Sequence, residues 1–162
     1  MACRTWMLAG MLLVAMPAVA EDVAFQGHAV QVDASREARP IVRLTGVKYS
    51  IPGSALQILG KAEQCAARQA DALTGVSLDA DNARLVAVAR ASYRKKGQRS
   101  ARGRMAIDAA DGSFRVAFTE LATSPADAGG YVPLLQHDAA GWENALEALI
   151  GVEQDLLDCM FR

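Results

Sequence analysis

The chain has 162 residues, of which 52% are hydrophobic and 22% are charged, with 17 Lys and Arg against 18 Asp and Glu. This length fits one domain, and this composition excludes a disordered, collagen-like or low-complexity chain. The net charge of −1 excludes a protein that binds nucleic acid through bulk charge alone.

Residues 1–20 have the features of a cleaved secretory signal peptide. Arg4 gives a positive start, residues 7–16 form an apolar run, and residues 18–20 have the small-x-small pattern of a cleavage site. This run is too short for a permanent bilayer span, which needs about 20 apolar residues, although a retained N-terminal anchor is the alternative. We therefore expect an exported protein, periplasmic rather than extracellular, with a single domain over residues 21–162 and no transmembrane segment.

Removal of the signal peptide leaves two cysteines, Cys65 and Cys159. An oxidising compartment permits them to pair. The alternative is a reactive or metal-binding thiol pair, which neither a C-x-x-C spacing nor a nearby histidine supports. We expect a structural disulfide, which on the chain-entropy model stabilises the fold by about 4–5 kcal/mol.

The hydrophobic pattern predicts two strands, a helix, three strands and a final helix, in that order. The strands are expected at residues 23–32, 41–51, 84–94, 102–110 and 113–121. The helices are expected from Ser54 to a stop at Gly75, and from a cap at Asp138 to about Met160.

Local signals support these elements. A slip in the alternation predicts a β-bulge at Gly46. Ser54 and Gln57 have the spacing of a capping box at a helix start. Asp111-Gly112 is the strongest hairpin signal in the chain and predicts that the last two strands are antiparallel neighbours.

The order ββ-α-βββ-α is typical of an α+β fold with short antiparallel connections. Cys65 and Cys159 both fall on the apolar sides of their helices, so a bond between them requires the helices to lie side by side. We expect an antiparallel sheet of about five strands with both helices on one face. The other face is left open to solvent or a partner.

Three segments, YSIPGSALQILGKAEQCAARQ, RLVAVARASYR and RGRMAIDAADGSFRVAFTEL, resemble a family of small secreted bacterial proteins of unknown function. The fold of that family is likened to the TATA-binding protein. The resemblance covers residues 41–121 well and the last helix loosely. It implies a TBP-like fold but no site residues, and it does not imply DNA binding, because function depends on sites rather than folds.

Charge is distributed unevenly along the chain. Residues 84–104 hold eight basic residues and no acidic residue. Such a segment can contact an anionic surface, although the same charges also protect sheet edges from pairing. With one interleaved aromatic, Tyr93, binding of nucleic acid is not favoured. The candidate anion contacts are Arg90, Arg94, Lys95, Lys96, Arg99, Arg102 and Arg104.

The sequence contains no recognised catalytic, metal or cofactor motif. His28 and His137 are the two histidines, and no G-x-S-x-G nucleophile motif or phosphate-binding glycine loop is present. We expect a non-catalytic binding or assembly module of the cell envelope, without metal or cofactor. The alternatives are a small envelope hydrolase that uses one of these histidines, and a purely structural envelope factor.

The segment Tyr131–Leu135 is apolar within a predicted loop. It is either a patch that docks a partner or an anchor that fixes the loop to the domain.

Overall fold

A computed structural model describes residues 20–124, 130–137, 139 and 141–162, so the predicted signal peptide lies outside the described residues except for Ala20. The elements are β1 (Ala20–Phe25), β2 (His28–Asp33), β3 (Ile41–Ser50), α1 (Ala55–Ala67), β4 (Leu73–Asp79), β5 (Arg84–Arg94), β6 (Gln98–Ala110), β7 (Ser113–Ser124), β8 (Val132–Pro133) and α2 (Trp142–Met160).

The described strands form one antiparallel sheet in the order β1-β2-β3-β7-β6-β5-β4, and the short β8 pairs with β7. The α+β class and the antiparallel arrangement are confirmed. The expected count of about five strands was too low, because eight strands are present in the described chain.

Two of the additional strands were not predicted from the sequence, for two different reasons. The predicted strand 23–32 is a hairpin, because Gln26 and Gly27 both take positive φ angles and reverse the chain. β4 lies at the sheet edge and buries only Leu73, so it has no alternating apolar pattern.

The predicted bulge in β3 is confirmed. Thr45 pairs with Ala117 and Lys48 pairs with Arg115, so Gly46 and Val47 together face one residue of β7. Val47, within the predicted strand 41–51, does not contribute to an apolar face, because this extra residue is 51% exposed.

The helix boundaries differ from expectation at two of their four ends. The capping box at Ser54 is confirmed, but α1 ends at Ala67 rather than near Gly75, because the chain turns to form β4. α2 begins at Trp142 after Gly141 in a left-handed conformation. Asp138, the predicted cap, lies outside the described residues.

Both helices pack on the same face of the sheet, over a continuous apolar core. The disulfide between Cys65 of α1 and Cys159 of α2 joins them, with a Cα–Cα distance of 5.8 Å. This arrangement agrees with the expected pairing and leaves the opposite face of the sheet uncovered by helices. No helix among the described residues is long and apolar enough to cross a bilayer.

Candidate functional site

The sheet face opposite the helices, called the open face below, carries a concentration of positive charge. Side chains alternate between the two faces of a strand. In β5, for example, Leu85, Ala87 and Ala89 are buried under the helices, so Arg90 points to the open face. The cations on this face, of which Arg102 is half-buried and the others are exposed, form a cationic stripe of Arg43, Lys48, Arg90, Arg94, Arg102, Arg104 and Arg115.

At one end of the stripe the open face forms a depression of about 690 Å³. Small side chains occupy its middle, where Ala29, Thr45 and Ala117 lie side by side on neighbouring strands. Arg43, Lys48 and Arg115 stand around this centre, together with the acidic residues Asp22 and Asp108. The depression therefore combines a flat floor of low side-chain volume with cations at its rim.

Two pairs of cations lie directly opposite each other on neighbouring strands. Lys48 of β3 pairs in register with Arg115 of β7, and Arg90 of β5 pairs with Arg102 of β6. Like charges in directly opposed positions destabilise a sheet. Both pairs are therefore suited to hold an anion between them.

The stripe runs along the strands. Its two ends are separated by ten positions of β6, from Asp108 beside Arg115 to Gln98 beside Arg94. At a rise of about 3.4 Å per residue, this corresponds to a length of about 34 Å.

Some cations on the open face already have partners. Arg84 pairs closely with Asp108 and is not counted in the stripe, whereas Arg104, which is counted, has a longer ion pair of 3.6 Å with Glu120. The guanidinium of Arg102 lies 4.5 Å from the centre of the Tyr131 ring. None of the ion pairs in the described part of the chain involves Arg43, Lys48 or Arg115.

The predicted anion contacts separate into two groups. Arg90, Arg94, Arg102 and Arg104 reach the open face, in agreement with a shared surface. The other three lie at the hairpin tip or towards the helices. Lys95 packs on Gly141, Lys96 sits in the turn at a positive φ, and Arg99 donates from Nε to the carbonyl of Lys95.

Sequence reasoning missed Arg43, Lys48 and Arg115, because it searched for a local run of charge. These residues lie on β3 and β7, far from residues 84–104 in sequence. The available signal was the alternation of β3 combined with the predicted bulge. Together these features place Lys48 on the same face as Arg43 and Thr45, opposite Tyr49.

On the helix side, behind the depression, lies a polar cluster of His28, Tyr49 and Glu153, in which His28 and Glu153 are buried and Tyr49 is half-buried. Glu153 of α2 is 1% exposed, and its Oε2 lies 2.9 Å from Nε2 of His28. The hydroxyl of Tyr49 donates to its Oε1 at 3.0 Å. Three elements of the fold thus meet at one carboxyl group.

The hydrogen bond to Glu153 is the main cause that raises the pKa of His28 above its ordinary value of 6.5, and burial opposes it. Nδ1 of the same ring lies 3.1 Å from the carbonyl of Gln26. Since both partners are oxygen acceptors, they favour the doubly protonated imidazolium. Burial and Glu153 also raise the pKa of Tyr49.

The apolar segment 131–135 contributes to the domain rather than standing apart from it. Leu134 is fully buried, donates from its backbone to Leu121 and accepts from Ile41. Val132, in contrast, is 47% exposed. The contacts of Leu134 favour the interpretation that this segment anchors the loop to the domain.

Comparisons with known proteins show the fold alone. No family model and no curated protein matches the chain. A crystal structure of a TBP-like protein from Parabacteroides distasonis matches with a TM-score of 0.56 and 10% identity, over 74% of this chain and 92% of that chain. A DUF4468 family protein from Bacteroides ovatus matches with a TM-score of 0.59 and 9% identity, over 86% of this chain and 90% of that chain. The TBP-like fold expected from the sequence resemblance is thereby confirmed.

Proposed function

We propose that this protein is a non-catalytic binding module whose open face holds a linear, phosphate-bearing polymer. The observation that carries the proposal is the pairing of like charges, Lys48 opposite Arg115 and Arg90 opposite Arg102. An anion that bridges each pair removes the repulsion and gains charge-assisted hydrogen bonds.

The shape of the cationic stripe favours an extended ligand. Its length of about 34 Å is too great for one small anion, and its course along the strands suits a chain. Six of its seven cations are arginines, whose planar guanidinium groups match phosphate oxygens in a bidentate manner. The hydroxyl of Thr45 in the depression adds a neutral hydrogen-bonding group.

A nucleic acid is a less suitable ligand than a polymer without bases. Proteins that bind single strands stack bases on exposed aromatic side chains. On the described open face, the aromatic beside the stripe is Tyr131, and its ring is already covered by Arg102.

The alternative hydrolase interpretation receives no specific support from His28. The ring lies on the helix side, is 8% exposed, and bonds to Gln26 and Glu153 rather than to a nucleophile. A histidine that activates a hydroxyl or thiol nucleophile needs that group within hydrogen-bond reach.

We also propose that the protein works in an oxidising compartment, reached by export. The disulfide between Cys65 and Cys159 supports this location, because such bonds persist where thiols are not kept reduced. The signal-like residues 1–20 are the second support. An envelope polymer that carries phosphate groups would be encountered there.

The test is the binding of linear inorganic polyphosphate of graded length, measured by calorimetry. We expect affinity to rise with chain length until the chain covers the stripe, and to fall steeply with salt. K48E/R115E should abolish binding. The matched control K61E/R68E makes the same change of charge at exposed positions of α1 and its C-cap, and should leave binding intact.

Failure of the wild type to bind polyphosphate would overturn the proposal, and so would any of three further results. One is equal loss of binding in K48E/R115E and K61E/R68E, which would indicate general charge attraction. Another is binding to anionic phospholipid vesicles but not to polyphosphate. The third is equal affinity for a polycarboxylate of the same length, which would remove the preference for phosphate.

A further inference from the structure

Behind the depression, the carboxyl group of Glu153 contacts both sides of the β3 bulge. Its Oε1 accepts the Tyr49 hydroxyl at 3.0 Å and lies 2.8 Å from the place of a β-carbon on Gly46. Lys48 and Val47 lie between these two residues in sequence. The same oxygen atom thus contacts the residues at both ends of the segment that places Lys48 on the open face.

The bulge decides which side chain of β3 reaches the depression. In a regular strand, residues 46 and 48 share a face and residue 49 takes the other. Here Gly46 and Tyr49 both face α2, because one extra residue is inserted between Thr45 and Lys48. Loss of this insertion would turn Lys48 away from Arg115.

Filling this part of the core does not require the polar cluster of His28, Tyr49 and Glu153. Apolar side chains of similar volume stabilise an interior as well as a buried ion pair does, and often better. A buried polar group that is nearly inaccessible to water can instead define a register, as polar residues do in coiled coils. The partners of Glu153, from β2 and β3, suit that role.

We propose that Glu153 is a positioning residue for the anion site: through Gly46 and Tyr49 it holds the β3 bulge that sets Lys48 opposite Arg115. This inference rests on the proposed function for its binding readout. Glu153 itself is buried on the other side of the sheet and touches no ligand.

The experiment is a double-mutant cycle on polyphosphate binding. E153A should lower affinity by about tenfold, the factor expected for one lost charge-assisted contact, although Lys48 and Arg115 are both intact. K48A should cause a similar loss, and K48A/E153A should lose no more than either variant alone. E153A/R90A should show the sum of two independent losses, because Arg90 lies beside Arg102, six positions along β6 from the position beside Arg115.

Conservative variants separate positioning from general destabilisation. E153Q keeps an oxygen acceptor for Tyr49 and gains a donor for neutral His28, so its affinity should stay within about twofold of the wild type. Y49F removes only the hydroxyl and should lower affinity, which keeps the test valid if E153A does not fold. E147A, at an exposed position of α2, is the matched control and should bind normally.

The outcomes distinguish the two proposals. If the wild type binds polyphosphate and both E153A and Y49F bind equally well, the positioning role is wrong and the binding function stands. If E153A and K48A losses add, the role is also wrong. If the wild type does not bind, the proposed function fails. The claim that Glu153 holds the β3 bulge is then tested by the amide hydrogen exchange rates of Val47 and Lys48. Unchanged exchange in Y49F would overturn it.

Discussion

Gly46 and Glu153 are in such close contact that any larger residue at position 46 would have to displace the buried carboxyl group. A β-carbon there would lie 2.8 Å from Oε1 of Glu153 and 3.4 Å from the carbonyl of Val116. The φ angle of Gly46 is not in the left-handed region, so the requirement comes from space rather than from backbone conformation. The bulge in β3 and the buried carboxyl group therefore depend on each other.

Gly46→Ala should destabilise the fold, since the new methyl group must displace a buried, hydrogen-bonded side chain. We expect a loss of about 1–3 kcal/mol in the free energy of unfolding, measured by urea denaturation. Gly60 of α1 and Gly151 of α2 are matched controls, because a β-carbon at either meets no atom within 4 Å. Their alanine variants should gain about 0.5–1 kcal/mol. A Gly46→Ala variant as stable as the wild type would show that position 46 has room for a β-carbon beside Glu153.

Stability should depend on pH through His28. Its folded pKa is raised above 6.5 by the hydrogen bond to Glu153. The contribution of this pair is therefore fully present below pH 6.5 and is lost as pH rises through the folded pKa. Urea unfolding on both sides of that pH should show this decline in the wild type and a weaker one in H28N.

The disulfide should contribute strongly to stability, because Cys65 and Cys159 are 94 positions apart and the bond closes a long loop. On the chain-entropy model, C65A/C159A should lose about 4–5 kcal/mol in the free energy of unfolding. Reduction of the wild type with a thiol should reproduce the loss. A change below about 1 kcal/mol would show that other contacts hold the helices together just as well.

The salt dependence of polyphosphate affinity should report how many phosphate groups the protein contacts. K48A and R102A should each reduce the slope of log affinity against log salt by about one, if each side chain contacts one phosphate. R84A is the matched control, since Arg84 already pairs with Asp108. A slope unchanged in K48A would mean that this lysine does not contact the ligand.

Local patterns in the sequence predicted much of the fold. The capping box at Ser54 and the turn at Asp111-Gly112 were confirmed because each depends on residues close in sequence. The pairing of Cys65 with Cys159 followed from their number and their places on the helix stripes. Edge strands were missed because exposed residues, as in β4, carry no periodic signal.

The candidate site was predicted only in part, since it depends on the order of strands in the sheet. A run of charge located Arg90 and Arg102, which are neighbours through one hairpin. Lys48 and Arg115 meet because β3 pairs with β7, and no local pattern specifies that pairing. The role of Glu153 was hidden for the same reason, because its partners lie 104 and 125 positions away.

The position of β1 bears on the expected removal of residues 1–20. Ala20 pairs with Asp33, and Glu21, whose carboxyl group binds Arg39, pairs with Val32. The expected cleavage point lies between Ala20 and Glu21, inside this ladder. Because peptidases act on accessible, unpaired backbone, processing should precede closure of the β1–β2 hairpin. If residues 1–20 are removed as expected, the cut would therefore come before the sheet is complete.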